Sequence, residues 1–405
     1  MLTSQIVFLV GGKGSRLGSL SALTPKPLLD VGGRPFLDSL IENAARFGLN
    51  KVILLAGHLG DAVSERYQNW GMARGIEIKC IVEPEAAGTG GALRHAAEYL
   101  DDTFYLANGD SLFDINLLDL PLIEAPAGWI GKLALRRVLD GSRYGQVITQ
   151  DNRVIDLIER GPEGPALING GVYLLRRDIL NWIQTTPLSI ERDVFPMLAK
   201  AGYLFSREFE GFFLDIGIPE DFSRAQEAIP THLRRPAVFF DRDGVLNHDA
   251  GYTHRVKDFR WCDGAVAAIR LLNDLGFYVF VVTNQGGVAR GYYSEDDVIF
   301  LHRWMNEDLS QVGAHIDAFY YCPHHPEGGN VPYAIICDCR KPAPGMFYAA
   351  LRDWSVDLTA SVMIGDKPSD MDAARNAGLT GIPWKGGNLH EWAKTYLDKK
   401  MVNAE

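Results

Sequence analysis

Two carboxylates one residue apart stand at the end of a short apolar run: Ala237 to Phe240, then Asp241-Arg242-Asp243-Gly244. A buried strand that delivers Asp-x-Asp into a turn puts two acids near one point, which favours a divalent cation. One Asp can attack a phosphorus while the other moves protons. Surface turns are also full of Asp and Gly, so the pair needs support from elsewhere. Support comes from two further strand tips. Phe277 to Val282 runs into Thr283-Asn284-Gln285, where a hydroxyl and an amide can donate to a phosphate oxygen. Ser361 to Ile364 runs into Gly365-Asp366. Between them, Arg340-Lys341-Pro342 sets two cations beside a stiffened turn. In a parallel sheet such tips meet at the carboxyl edge, where ligands bind.

A second cluster points to a metal. Cys322-x-His324 and Cys337-x-Cys339 offer three thiolates and an imidazole, joined through Gly328-Gly329-Asn330. That is a closed tetrahedral set, the pattern of structural zinc. His325 could compete with His324, but the alternating spacing favours His324. Zinc there would rigidify the loop beside Arg340 and Lys341.

A third cluster lies near the start. The strand Gln5 to Val10 runs into Gly11-Gly12-Lys13-Gly14-Ser15-Arg16-Leu17. Glycines there let backbone N–H groups approach a phosphate, and Arg16 adds charge. The spacing is not that of a Walker A loop. Lys26 sits between Pro25 and Pro27. A lysine held that stiffly suits a phosphate better than bulk water.

The elements that must position these groups alternate: a strand at Gln5 to Val10, a helix over Pro35 to Phe47, strands at Lys51 to Ala56 and Ile76 to Val82. This is α/β with a mainly parallel sheet. The second half repeats the alternation, with a helix over Cys262 to Leu275. At 405 residues the chain exceeds one ordinary core. We expect a first domain over 1–228, a linker at 229–236, a second domain over 237–393 and a C-terminal tail at 394–405, frayed from Lys399. A hydrophobic fraction of 47% with 22% charged residues is the profile of a soluble globular protein. The net charge of -11 argues against nucleic-acid binding, yet leaves room for anionic small substrates bound by a few placed cations. No secretory leader or membrane span is expected. Five cysteines, three of them between 322 and 339, point to metal rather than disulfides and to a reducing cytoplasm.

The third cluster belongs to a longer ordered set. Gly11-Gly12-x-Gly14-Ser15-Arg16-Leu17, Pro25-Lys26-Pro27, Glu83, Gly88-Thr89-Gly90-Gly91, Asn108-Gly109-Asp110, Asn169-Gly170-Gly171 and Leu214-Asp215-Ile216-Gly217 together resemble the sugar-1-phosphate nucleotidyltransferases over about residues 5 to 228. Within that family the pattern is most similar to the guanylyltransferases acting on D-glycero-α-D-manno-heptose 1-phosphate. The resemblance implies a Rossmann-like sheet, with Arg16 and Lys26 on phosphates and Asp110 and Asp215 on Mg²⁺. Gly11, Gly12, Gly14, Ser15, Glu83, Gly88, Thr89 and Gly90 would receive nucleotide and sugar against backbone, and Asn169 and Gly170 would line the sugar site. Ser15 stands where the family commonly has Thr. Arg160 stands where Lys is usual, and Arg160 would then contact the sugar phosphate, although Arg and Lys are not interchangeable at a tight site.

The second half, over about 236 to 393, resembles the haloacid dehalogenase superfamily. It is closest to its D-glycero-D-manno-heptose 1,7-bisphosphate 7-phosphatases, through Asp241-Arg242-Asp243-Gly244, Thr283-Asn284-Gln285, Ala289-Arg290-Gly291, Cys322-Pro323-His324-His325, Cys337-Asp338-Cys339-Arg340-Lys341 and Gly365-Asp366-Lys367. This implies Asp241 as nucleophile and Asp243 as general acid and base. Thr283 and Lys341 would hold the phosphoryl group, with Asn284 and Arg290 beside them and Arg340 reading the substrate. Asp241, the Asp243 backbone carbonyl and Asp366 would bind Mg²⁺. The expected activity is a bifunctional one in activated-heptose synthesis. Alternatives are another sugar phosphate of mannose type, histidinol phosphate for the second half, or a nucleotide-sugar-sensing module. The intact Asp241, Asp243, Lys341, Lys26, Asp110 and Asp215 count against the last.

Overall fold

The computed structural model describes residues 3–12, 14–21, 23–142, 145–159 and 161–402. The chain divides into two units, Met1–His232 and Leu233–Glu405.

In the first unit, strands run in the order Glu77–Val82, Lys51–Ala56, Gln5–Leu9, Thr103–Asn108, Ala166–Arg176, Gly131–Val138, Leu204–Glu208, Arg153–Ile158 and Gln146–Gln150. The first four are parallel neighbours. Ala166–Arg176 then pairs antiparallel with both Thr103–Asn108 and Gly131–Val138. The expectation of a mainly parallel sheet therefore holds for one half only. In the other half Ala166–Arg176 returns antiparallel between two strands distant in sequence, while Leu204–Glu208, entered from the helix Phe195–Ala201, pairs parallel with Gly131–Val138. The parallel half is covered by Phe36–Ala45, whose Phe36, Leu37 and Ile41 are fully buried. A second core packs Leu93, Phe104, Leu106, Tyr173 and Phe195.

A separate two-stranded ribbon pairs Ser111–Asp114 with Phe212–Asp215, in a register that sets Ser111 opposite Asp215. Phe113 and Phe213 meet edge to face across it, 5.6 Å between centroids. Ile216 N–H donates to the Asp110 carbonyl at 2.9 Å. The ribbon thus brings two sequence-distant acids, Asp110 and Asp215, to one place.

The second unit is an all-parallel sheet in the order Ala318–Cys322, Tyr278–Asn284, Ala237–Phe240, Val362–Gly365 and Thr380–Pro383. Its central strand, Ala237–Phe240, is buried on both faces, as its unbroken apolar run requires. The helix Ala265–Asp274 starts three residues later than Cys262, because Gly264 takes a φ of 75° that ends helical continuity. The helix Glu295–Ser310 is set by a capping box. Ser294 Oγ accepts from Asp297 N–H while the Asp297 carboxylate accepts from Ser294 N–H, an arrangement worth about 1 kcal/mol.

Two boundaries differ from the expectation. The segment 229–233 is not linker but the end of the helix Pro219–Leu233, and Arg235 is buried and bridged to Val356. The segment 394–402 is not a tail. It continues the helix Leu389–Val402, held by the buried Leu389, Ala393 and Leu397. Residues 403–405 lie outside the described residues. Among the described residues, no helix is long and apolar enough to cross a membrane.

Candidate functional site

In the second unit, three strand ends and one loop deliver the site. Asp241 leaves the strand Ala237–Phe240 with its N–H on the Ile364 carbonyl at 2.9 Å, so its backbone is tied to the neighbouring strand. Its carboxylate lies 3.0 Å from Lys341 Nζ. That ammonium also lies 2.6 Å from Asp370 and donates to the Val282 carbonyl at 2.7 Å. All three side chains are buried. Burial pushes Asp241 up to about 6, opposed by Lys341 and reinforced by Asp370 and Asp243. A buried lysine is thus needed to keep a carboxylate usable here.

Oxygens of Asp241, Asp366 and Asp370 come within 4.8 Å of one another. Gly244, at φ 93°, permits the approach of Asp366, since a Cβ there would lie 2.5 Å from Asp366 Oδ2. Burial raises Asp366 as well. Three hard oxygen donors converging in this way suit a Mg²⁺ ion, and Asp241 and Asp366 are the expected ligands. Asp370 is the addition. It sits in the first turn of the helix Pro368–Asn376, whose start is set by Pro368, and its Oδ2 accepts from Lys367 N–H at 3.0 Å. Its signal was the spacing of four from Asp366, which a helical first turn folds back onto the strand end.

Asp243 does not join that group of carboxylates. Its oxygens accept from Arg242 at 2.9 to 3.2 Å, from Asn247 at 3.0 Å and from Gln285 at 2.9 Å. The side chain expected as acid and base is therefore oriented by three donors, and only its backbone carbonyl remains a candidate metal ligand. Thr283 is buried at its strand end, its Oγ accepting from Gln285 Nε2 at 2.9 Å. Asn284 clamps the Lys341 backbone through two hydrogen bonds, at 3.0 and 3.1 Å. It positions the lysine rather than facing a ligand. Arg340 donates to the His324 carbonyl at 3.0 Å, and Arg290 lies 3.2 Å from His325 Nε2.

The Cys-His loop closes as its spacing requires. Cys322, His324, Cys337 and Cys339 offer one ligand atom each within 4.8 Å. The Sγ–Sγ separations are 3.5 and 3.2 Å, and His324 Nδ1 lies 3.3 Å from Cys339 Sγ and 3.8 Å from Cys322 Sγ. Metal–ligand bonds of about 2.0 to 2.3 Å give tetrahedral edges of about 3.5 to 3.8 Å, so one ion fits with small adjustments. His325 points instead to Arg290.

In the first unit, Lys26 is buried in the turn Lys26–Leu28, with Nζ 2.6 Å from Asp110 and 3.6 Å from Asp215. Burial raises Asp215, as does Asp110; Lys26, the Gly217 N–H and Arg16 lower it. Lys26, Asp110 and Asp215 therefore form one cluster within reach of the exposed Arg16. The two carboxylates are suited to a divalent cation. Gly11 abuts Gly57, where a Cβ would lie 2.9 Å from the Gly57 nitrogen; the space around Gly12 is open, and Gly14 turns at φ 61°. The backbone of Ser15 begins the turn Ser15–Ser21.

The sugar-side residues are linked through Tyr173. Its hydroxyl accepts from Asn169 Nδ2 at 2.8 Å, and it feels the charges of Asp110 and Glu191. Thr89 Oγ donates to Glu191 at 3.0 Å and accepts from Ile190 N–H at 2.8 Å, so this hydroxyl is occupied by the protein's own segment 188–191. The close backbone approach expected of Gly88 and Gly90 is likewise internal: Cβ atoms there would lie 2.5 Å and 3.1 Å from the Leu188 carbonyl oxygen. Gly170 packs on Phe113. Glu83 is half-buried and raised by burial, with its carboxylate receiving the Ala87 N–H. Arg160 lies outside the described residues.

Comparison with known proteins divides the chain in the same way. The nucleotidyl transferase family model matches residues 5–232, and a HAD-hydrolase-like model matches residues 338–398. Over 164 residues the chain is 49% identical to the D-glycero-beta-D-manno-heptose-1,7-bisphosphate 7-phosphatase of Rhodopseudomonas palustris, covering 40% of this chain and 91% of that protein. The protein of the same name from Photorhabdus laumondii is 49% identical over 144 residues, 36% of this chain and 77% of its own. Among solved structures, HddC from Yersinia pseudotuberculosis aligns at 30% identity and a TM-score of 0.50, over 56% of this chain and 99% of that one.

Proposed function

Since the chain belongs to the nucleotidyl transferase family through residues 5–232 and to the heptose bisphosphate 7-phosphatases through its second half, we propose that it is a bifunctional enzyme of activated-heptose synthesis. The second unit removes the 7-phosphate of heptose 1,7-bisphosphate. The first transfers a guanylyl group from GTP to the remaining 1-phosphate and releases pyrophosphate. The family resembled by the first half acts on an α-1-phosphate and the relatives of the second half are named for the β anomer, so the product of one reaction is the substrate of the other when the bisphosphate is the α anomer.

The observation that carries the phosphatase is the Lys341 ammonium set between Asp241 and Asp370 at the edge where Thr283 and Asp366 also end. An Asp241 oxygen attacks the phosphorus while Thr283 and Lys341 hold the phosphoryl oxygens. The bond to the sugar oxygen breaks, and Asp243 gives that oxygen a proton. Asp243 then takes a proton from water, which attacks the aspartyl-phosphate and frees phosphate and Asp241. Mg²⁺ bound by Asp241, the Asp243 carbonyl and Asp366, with Asp370 beside them, would neutralise phosphoryl charge. In the first unit, Lys26 and Arg16 orient the triphosphate for in-line attack by the sugar phosphate, and Asp110 and Asp215 hold the second Mg²⁺ site. Cys322, His324, Cys337 and Cys339 would hold a structural zinc, which would fix the loop whose carbonyl at His324 receives Arg340.

The test is an Asp241→Asn variant given heptose 1,7-bisphosphate and Mg²⁺. Phosphate release falls to background if Asp241 is the nucleophile, whereas a variant with wild-type rates refutes the assignment.

A further inference from the structure

Among the described residues the largest fully buried side chain is Arg242, the residue between the two site carboxylates. A guanidinium has only donors, so every group it touches must accept. Its partners are both oxygens of Asp243, the Thr253 carbonyl at 2.6 Å, Gln285 Oε1 at 3.2 Å and His302 Nε2 at 3.2 Å. The His302 ring is accordingly neutral with its proton on Nδ1; burial and the Arg242 charge both hold it well below the ordinary histidine range. Arg242 thereby fixes the orientation of the Gln285 amide. Gln285 Oε1 faces Arg242 and also accepts from Tyr293 OH at 2.8 Å. The NH₂ end must then face the other way, and a flipped amide would put donors against donors.

On that side lie two groups of the phosphatase reaction. Gln285 Nε2 is 2.9 Å from Asp243 Oδ2 and 2.9 Å from Thr283 Oγ. An amide NH₂ has two hydrogens, one for each. Because Thr283 Oγ accepts from Gln285, its own hydrogen is left to point at a phosphoryl oxygen. Because Asp243 Oδ2 accepts the second hydrogen, the carboxylate is aimed by the same buried group.

We propose that Gln285 is a positioning residue that sets Thr283 as a phosphoryl donor and Asp243 as acid and base together, with Arg242 and Tyr293 fixing its amide. The inference rests on the phosphatase reading above. No bond to Gln285 forms or breaks in the reaction.

The experiment uses the full chain with Mg²⁺ and heptose 1,7-bisphosphate, and compares wild type, Asp241→Asn, Gln285→Glu and Tyr293→Phe. Gln285→Glu keeps the shape but places an acceptor oxygen where the NH₂ donated. We expect kcat for phosphate release to fall about 100-fold, the size of a displaced acid–base group. We also expect the loss to fall on kcat, with KM within about threefold of wild type, a split that general loosening of the site would not give. Tyr293→Phe keeps the amide but frees one side of it, and should lower kcat about fivefold with no change in melting temperature beyond a few degrees. If Gln285→Glu fails to fold, Tyr293→Phe carries the test alone. Wild type without activity, or Asp241→Asn with full activity, would overturn the phosphatase reading itself. Active wild type, inactive Asp241→Asn, and the two other variants with wild-type kcat, or with a loss carried by KM alone, would overturn the role of Gln285 alone.

Discussion

Replacing Lys341 by Met removes one cation from between two buried carboxylates. The ammonium is 3.0 Å from Asp241, 2.6 Å from Asp370 and hydrogen-bonded to the Val282 carbonyl. Deleting one partner of a buried ion pair costs about 3 to 5 kcal/mol, because the remaining charge is left without compensation. For a unit of this size that is about 10 °C in melting temperature. The loss carries a pH signature. Asp241 is raised to about 6 even with Lys341 present, so the native state holds its proton more tightly than the unfolded chain. Its favourable contribution is complete below the unfolded carboxylate value near 4 and is lost as pH rises through about 6. Without the lysine that loss deepens. The penalty should be largest at pH 8 and shrink at pH 5, where protonation removes one of the two charges. Scanning calorimetry of the metal-free full chain at both pH values measures this, following the transition of the second unit. Adding Asp370→Asn to Lys341→Met should recover part of the loss at pH 8. A Lys341→Met protein that melts with the wild type at pH 8, or loses the same amount at both pH values, would refute the reasoning.

Other consequences can be checked separately. Cys337→Ser should lose bound zinc, read by elemental analysis, together with phosphatase activity; a zinc-free preparation of full activity contradicts the structural role. Gly244→Ala places a Cβ 2.5 Å from Asp366 Oδ2 at a φ of 93°. It should weaken Mg²⁺ binding at least tenfold and cost about 1 to 2 kcal/mol of stability, seen by titration calorimetry and melting. Mg²⁺ must compete with the proton on Asp241, so its apparent affinity for the second unit should fall by up to about tenfold per pH unit below about 6. Asp215→Asn should lower guanylyl transfer by about 100-fold or more while leaving phosphate release unchanged, as paired assays of pyrophosphate and phosphate would report.

Much of the site was legible because strand tips are legible. An apolar run that ends in Asp, Thr or Asp-x-Asp is visible without coordinates, and a parallel sheet collects such tips at one edge. Alternating Cys and His positions were equally plain. Three things were hidden. Asp370 reads as an ordinary helix-start acid until Pro368 is seen to fold the first turn against Lys341. Gln285 reads as a turn residue, since only packing against the buried Arg242 shows which end of its amide faces Thr283. The glycines of 88–90 suggest a ligand cradle, yet the segment at Leu188 occupies the space in front of Gly88 and Gly90. Fold-level errors had similar causes. The polar stretch over 394–405 reads as a tail, although Leu389, Ala393 and Leu397 keep a buried helical face. The antiparallel half of the first sheet rests on the long-range pairing of Ala166–Arg176 with Thr103–Asn108 and Gly131–Val138, which apolar periodicity alone does not order.

The central claim is that one chain performs two consecutive reactions on one sugar. The most direct measurement supplies D-glycero-D-manno-heptose 1,7-bisphosphate, as separate α and β anomers, with Mg²⁺ and each of the four nucleoside triphosphates, and follows phosphate, pyrophosphate and nucleotide-sugar in time. The account predicts that with the α anomer phosphate appears first, then equimolar pyrophosphate and GDP-heptose with GTP. It also predicts that Asp241→Asn stops both products, whereas Lys26→Ala stops only the second. Pyrophosphate formed from the bisphosphate before any phosphate, or phosphate with no nucleotide-sugar from any triphosphate, would contradict it.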